Sequence, residues 1–160
     1  MSAKSADQLM QEVLDRESIR DLGIRYCHVL WREELDEYPM LYTEDALLRW
    51  TNAGSTPVQG RAALREMIGP MVGNGKPRQF IHNHLVQLTG PDTATGQCCV
   101  EVRLIMDDGS EGYIVAYYED EYVKLDGEWK FKLREVTLEY FGPRSGYTPP
   151  AEKTTASWFR

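Results

Sequence analysis

From Arg78 to Phe141 the chain reads as almost continuous strand. Four long β-prone runs, Arg78 to Leu88, Thr93 to Met106, Gly112 to Leu125 and Glu128 to Phe141, are joined only by TGPD, DDGSEG and DG. Asp126-Gly127 between the last two is the strongest hairpin signal in the chain, because both residues tolerate the positive φ of a tight two-residue turn. A meander of this length has to bend over something, and the preceding half of the chain supplies it.

Ser5 and Gln8 have the form of a capping box, and Leu9, Val13, Leu22, Cys27, Leu30 and Trp31 follow at roughly helical spacing. This predicts a long first helix, interrupted near Ser18. Asp36 to Tyr42 reads as a second, short helix, with Asp36 as its cap and Pro39 in its first turn. TEDALLRW then runs into strand. Gly60 to Ile68 is a third helix ended by Gly69-Pro70, and Met71 to Pro77 reads as a mobile glycine-rich loop. No Lys-Ser/Thr pair follows that loop, so it is no phosphate cradle. Helices followed by an antiparallel meander give an α+β layout in which the sheet wraps the helices.

At 160 residues the chain is read as one domain, 1–160, with a flexible start at residues 1–4 and a tail from Gly142 to Arg160. Trp158 and Phe159 on that polar tail predict docking onto the same or a neighbouring subunit. The formal charge of −7 opposes a nucleic-acid surface. Neither an apolar run of membrane-spanning length nor a signal peptide is visible, so no membrane partner is expected and the location reads as cytoplasmic. Cys27, Cys98 and Cys99 are read as reduced and buried, with Cys98 and Cys99 on opposite strand faces.

Four strings in this order, IRDLGIRYCHVLWREELDEYPMLYTEDA at Ile19 to Ala46, QGRAALREMI at Gln59 to Ile68, FIHNHLVQLTGPDTATG at Phe80 to Gly96 and YYEDEYVKLDGEWKFK at Tyr117 to Lys132, resemble the SnoaL-like branch of the nuclear-transport-factor-like superfamily. The resemblance implies a cone-shaped α+β barrel, with the N-terminal helices packed in a strongly curved antiparallel sheet around a ligand-sized pocket. Within the branch the chain is similar to scytalone dehydratase, bile-acid 7α-dehydratase and hexachlorocyclohexane dehydrochlorinase. In those enzymes a histidine on the first long strand, held by an aspartate on the first helix, takes a proton from carbon beside a leaving group.

Carried onto this chain, the resemblance places Trp31 at the aspartate, Gln79 at the histidine, Asn83 on a frequent asparagine, Val102 near a dehydratase aspartate and Trp50 near a dehydratase tyrosine. Tyr26 alone keeps a matching polar group. Neither an amide nor an indole can replace a carboxylate–imidazole base, so the family mechanism does not transfer. Tyr26 and His82 are the catalytic candidates, with a bulge or shift in the strand bringing His82 inward. Trp31, Trp50, Gln79, Asn83 and Val102 are the candidate ligand-binding residues, a mostly apolar set with a few polar groups.

Other groups take plainer readings. His82 and His84, two apart, share one strand face and have no third ligand, so no metal is expected. His28 packs on the helix. Glu101 and Arg103 face away from Val102, and Glu119 to Glu121 and Asp107 to Glu111 read as solvated acidic turns. No dinucleotide fingerprint is present, so no cofactor is expected. The function expected is a cofactor-independent lyase, dehydratase, isomerase or cyclase acting on a hydrophobic, polycyclic-type small molecule. The alternative is a noncatalytic ligand-binding or assembly protein of the same fold, including one like an oxygenase small subunit. A homo-oligomer is expected, a trimer before a dimer.

Overall fold

A computed structural model describes residues 4–73, 75–106 and 109–143. The first helix, α1 (Ala6–Arg32), starts at the expected capping box, where Ser5 accepts from the Gln8 amide and Gln8 reaches back to the Ser5 amide. It runs unbroken through Ser18, which points to solvent and so adds no buried polar group to break it. Its buried face is Asp15, Ile19, Leu22, Gly23, Tyr26, Val29 and Leu30, a stripe at three- and four-residue steps. Leu9, Val13 and Trp31 of the expected apolar set lie outside this stripe and are exposed.

The expected helix from Asp36 shrinks to one 3₁₀ turn, Pro39–Leu41, whose cap Tyr38 makes no side-chain cap bond. Asp36 is engaged instead by Arg65, 2.7 Å away. Strands β1 (Tyr42–Trp50) and β2 (Val58–Gln59) follow, then α2 (Gly60–Gly73), which passes straight through Gly69-Pro70 into the stretch read as a loop. The reason is packing: Leu64, Ile68 and Val72 are buried at four-residue steps, and a continuous apolar stripe outweighs the one backbone hydrogen bond that Pro70 removes.

The remaining strands, β3 (Lys76–Leu88), β4 (Thr93–Ile105), β5 (Glu111–Leu125) and β6 (Glu128–Pro143), match the four β-prone runs. Asp126 (φ 51°) and Gly127 (φ 83°) form the turn between β5 and β6 with both residues left-handed, as a primed hairpin turn requires. The sheet has six strands in the order β2-β1-β6-β5-β4-β3. Only β3 to β6 form the expected antiparallel meander. β1 adds parallel to β6, so the sheet is mixed, and it stays open with β2 and β3 at its edges. The tail expected to dock lies, beyond Pro143, outside the described residues.

Bulges bend these long strands around α1. Pairing shifts register between His82 and Leu85, between Val115 and Ala116, and between Glu121 and Tyr122, and each extra residue kinks its strand. At the first of these Asn83 takes φ 53°, a conformation asparagine tolerates and β-branched residues do not. Asn83→Val is therefore expected to lower stability by about 1–2 kcal/mol and Asn83→Gly to leave it nearly unchanged, as read by urea unfolding.

The concave face and α1 enclose the core. At the far end Asp15 accepts from the Trp129 indole at 3.0 Å and pairs with Lys124 at 2.6 Å, fixing the start of α1 to the β5–β6 hairpin. Cys98 is buried and Cys99 exposed, on opposite faces as expected. Cys27 is half-buried, so burial of all three does not hold. All are free, and burial pushes the Cys98 thiol up to about 12, which keeps it protonated and unreactive.

Candidate functional site

Between the second half of α1, the 3₁₀ turn, α2 and the inner faces of β1 and β3–β6 lies a hollow of about 440 Å³. The sheet register builds its wall: Gln79, Val102, Ile114 and Phe141 stand side by side across four strands, and Ala116 and Leu138 form the next row. Trp50, Met67, Ile68 and Leu48 close it from β1 and α2. At the rim, Phe141 and Met71 are exposed, whereas Tyr26, Gln79 and Tyr118 are buried at the floor.

The floor carries the polar groups. The Gln79 amide Nε2 donates to the Tyr118 hydroxyl at 3.4 Å, and Tyr26 is its neighbour on the floor. Tyr38 enters from the 3₁₀ turn, with its hydroxyl 3.2 Å from that of Tyr42. Burial pushes the Tyr118 hydroxyl well above the usual phenol range, with the neighbouring Tyr26 adding to it and Arg134 opposing. Burial does the same to Tyr38. Both therefore stay neutral and able to donate at ordinary pH.

Behind the floor sits a fully buried ion pair. Asp120 and Arg134 face each other across β5 and β6, and the Asp120 carboxylate accepts two bonds from Arg134, from Nε and Nη2, each at 2.8 Å. The Tyr122 hydroxyl gives Asp120 a third bond at 2.8 Å, and His84 Nε2 lies 3.1 Å from the Tyr122 oxygen. Because the Tyr122 proton is committed to Asp120, His84 must donate through Nε2. Burial holds His84 below the usual imidazole range, with Asp120 pulling the other way. Gly96 makes room for this line: a Cβ there would sit 2.9 Å from the Tyr122 ring. The guanidinium rests on three rings, 4.5 Å from the centre of Tyr26, 4.4 Å from Tyr118 and 4.1 Å from Phe131.

Four of the residues singled out from sequence, Tyr26, Trp50, Gln79 and Val102, meet on the hollow. Trp31 does not. It lies five residues, hence about 140° around the helix, from Tyr26, and reaches over the free edge of β3, where its indole donates to the Gln79 carbonyl at 3.0 Å and meets Phe80 edge-on. Trp31 is 40% exposed and lines a shallow outer groove with Ile24, Cys27, His28, Phe80 and His82. His82 is thus on the outside, and Asn83 is exposed on the bulge.

The bulge also separates the two histidines: His82 faces out, His84 faces in, and the expectation of a shared face fails. Asp120 is likewise no part of a solvated acidic turn. It alternates with exposed Glu119 and Glu121 and is 3% exposed. Strict alternation through Tyr118, Asp120 and Tyr122 was the signal available for it. Arg134 and Tyr38 carried no comparable mark. Among the described residues no group of three or more His, Cys, Asp or Glu side chains is placed to hold a metal ion.

The profile of the SnoaL-like domain family matches residues 11–135. This chain belongs to the SnoaL-like domain family. Solved structures agree with the SnoaL-like architecture. A candidate scytalone dehydratase of Novosphingobium aromaticivorans superposes with a TM-score of 0.79 at 19% identity, over 90% of this chain and 98% of that one. Hexachlorocyclohexane dehydrochlorinase LinA-type3 of Novosphingobium barchaimii gives 0.74 at 20% identity, over 88% and 99%. An NTF2-like protein with a cystatin-like fold from N. aromaticivorans gives 0.74 at 23%, over 86% and 92%. At these identities the likeness concerns the fold. Within it, the SnoaL-like hollow of this protein has among its described lining residues no carboxylate and no imidazole. No described helix is long and apolar enough to cross a membrane.

Proposed function

We propose that this SnoaL-like protein takes a flat, largely apolar small molecule into the hollow, with one ligand oxygen set against the floor by Tyr26, Tyr118 and Gln79. The observation that carries this reading is the direction of the hydrogen bonds there. An amide N–H only donates, so the Tyr118 hydroxyl accepts from Gln79 and keeps its own proton to give. That proton is available to a ligand acceptor, in a hollow whose remaining lining, the Tyr38 hydroxyl apart, is largely apolar.

A donor at a carbonyl or a leaving hydroxyl is the acid half of a lyase or dehydratase, isomerase or cyclase reaction. We assign that half to the Tyr26–Tyr118 pair, invoke no cofactor, and give no chemical part to His82. The second reading, noncatalytic ligand binding, is favoured by one specific observation: no side chain of ordinary base strength lines the hollow among the described residues. For assembly, the exposed Phe80 and Tyr140 on the outer face of the sheet offer a surface for a second copy.

Tyr26→Phe is expected to weaken binding of an oxygenated aromatic such as 2-naphthol about tenfold, close to the upper worth of one hydrogen bond, and to leave naphthalene binding unchanged. Calorimetric titration reads both. Equal loss for the two probes would remove the oxygen from the floor. If a panel of hydroxylated or carbonyl-bearing polycycles yields turnover, Tyr26→Phe is expected to abolish it and His82→Ala to preserve it. Binding without turnover across that panel leaves the noncatalytic reading.

A further inference from the structure

Trp31 stands outside the hollow, yet it is tied to the floor residue Gln79 and to both of that residue's chain neighbours. Its indole N–H donates to the Gln79 carbonyl at 3.0 Å. Phe80, the next residue, meets the indole edge-on with ring centres 5.4 Å apart. Arg78, the residue before, lays its guanidinium 5.4 Å from the centre of the ring and donates from Nη1 to the Trp31 carbonyl at 3.3 Å. That carbonyl belongs to the last turn of α1, where carbonyls lack helical partners and a cation is favoured. Helix and strand thus hold each other through a clasp centred on Gln79.

The clasp sits where the sheet gives no other support. β3 is an edge strand, paired with β4 alone, so no second ladder fixes the Gln79 backbone on its free side. Inside the hollow the Gln79 amide reaches the Tyr118 hydroxyl at 3.4 Å. That is close to the outer limit of a hydrogen bond, and a displacement of roughly a few tenths of an ångström breaks it.

We propose that Trp31 is a positioning residue for the hollow: by holding the Gln79 backbone at the free edge it keeps the amide on the Tyr118 hydroxyl, and so sets the preference of the hollow for oxygen-bearing over plain hydrocarbon ligands. This rests on the placement of the ligand oxygen proposed above. While Gln79 donates to Tyr118, the hydroxyl oxygen is engaged as an acceptor and its proton is directed away from the amide. Released from the amide, the hydroxyl rotates freely. A ligand oxygen then loses its aligned donor, whereas a ligand without oxygen loses nothing. Trp31 itself touches no ligand and acts through one backbone carbonyl.

A double-mutant cycle on the full-length protein, read by calorimetric titration with 2-naphthol and naphthalene, tests this. Trp31→Phe keeps a ring against Phe80 and removes the indole N–H. It is expected to weaken 2-naphthol binding about fivefold, within the worth of one hydrogen bond, and to leave naphthalene binding unchanged. Gln79→Met keeps an unbranched side chain without the amide and is expected to lower the preference for 2-naphthol by a similar factor. Trp31→Phe added to Gln79→Met is expected to lower it no further, because both changes break the same link.

Losses that multiply in the double variant, or an equal loss for the two probes in Trp31→Phe, would overturn the positioning role and leave Trp31 a packing residue. Should Gln79→Met not fold, Trp31→Phe alone decides, and an unchanged ratio of the two affinities overturns the proposal. If Tyr26→Phe weakens 2-naphthol alone while Trp31→Phe weakens neither probe, the ligand oxygen stays on the floor and only the role of Trp31 fails. Failure of both probes to bind would overturn the hollow reading itself, and this inference with it.

Discussion

Asp120→Ala is expected to cost the fold about 3–5 kcal/mol, the usual penalty when one partner of a buried ion pair is removed and the other is left behind. The partner here has no route to water. Both side chains are essentially inaccessible, at 1% for Arg134 and 0% for Asp120, and Arg134 is closed in by Tyr26, Tyr118 and Phe131. Against a total stability of about 5–15 kcal/mol, such a loss leaves a marginal protein, and the midpoint of urea unfolding should fall accordingly. The pair Asp120→Leu with Arg134→Met removes both charges and is expected to be less damaging than Asp120→Ala alone. A cost below about 1 kcal/mol for the single change would mean that the carboxylate is solvated after all.

The second large effect concerns binding. Ala116 lies on the inner face of β5, 3% exposed, in the wall of the hollow. It is the smallest side chain there, and Ala116→Phe puts a ring where the ligand is proposed to lie. Binding of 2-naphthol is expected to weaken at least about 100-fold, roughly 2.7 kcal/mol. Stability should move by less than about 2 kcal/mol, since the ring enters space already open and does not overpack a filled core. Calorimetric titration reads the first and thermal unfolding the second. Undiminished binding would relocate the ligand to the outer groove beside Trp31, and Trp31→Ala would then abolish it.

Much of the scaffold was legible because strands with one buried face advertise themselves. Alternation along Arg78–Phe141 and the Asp126-Gly127 turn located β3 to β6 within a few residues. Misreadings came where a local rule competed with packing. Gly69-Pro70 stops an isolated helix, yet the Leu64, Ile68 and Val72 stripe carries α2 past it. Charge normally marks surface, so Arg134 was invisible singly and Asp120 showed only in the alternation of its strand, and only cross-strand register puts them opposite each other. Of the candidate site, Tyr26, Gln79, Val102 and Trp50 were found. Trp31 was placed by a linear match that could not register the turn of a helix, and His82 by an expected bulge that in β3 falls after it, between His82 and Leu85.

Because β1 runs parallel to β6, the first strand to be made lies against the last, with Arg49 and Glu135 paired although 86 positions apart. Contacts so distant along the chain are slow to form and leave their partners unsatisfied meanwhile. During synthesis, α1, β1 and α2 would leave the ribosome long before the strand that completes their shelter, and their apolar faces would stand open to chaperones or to aggregation until β6 has emerged.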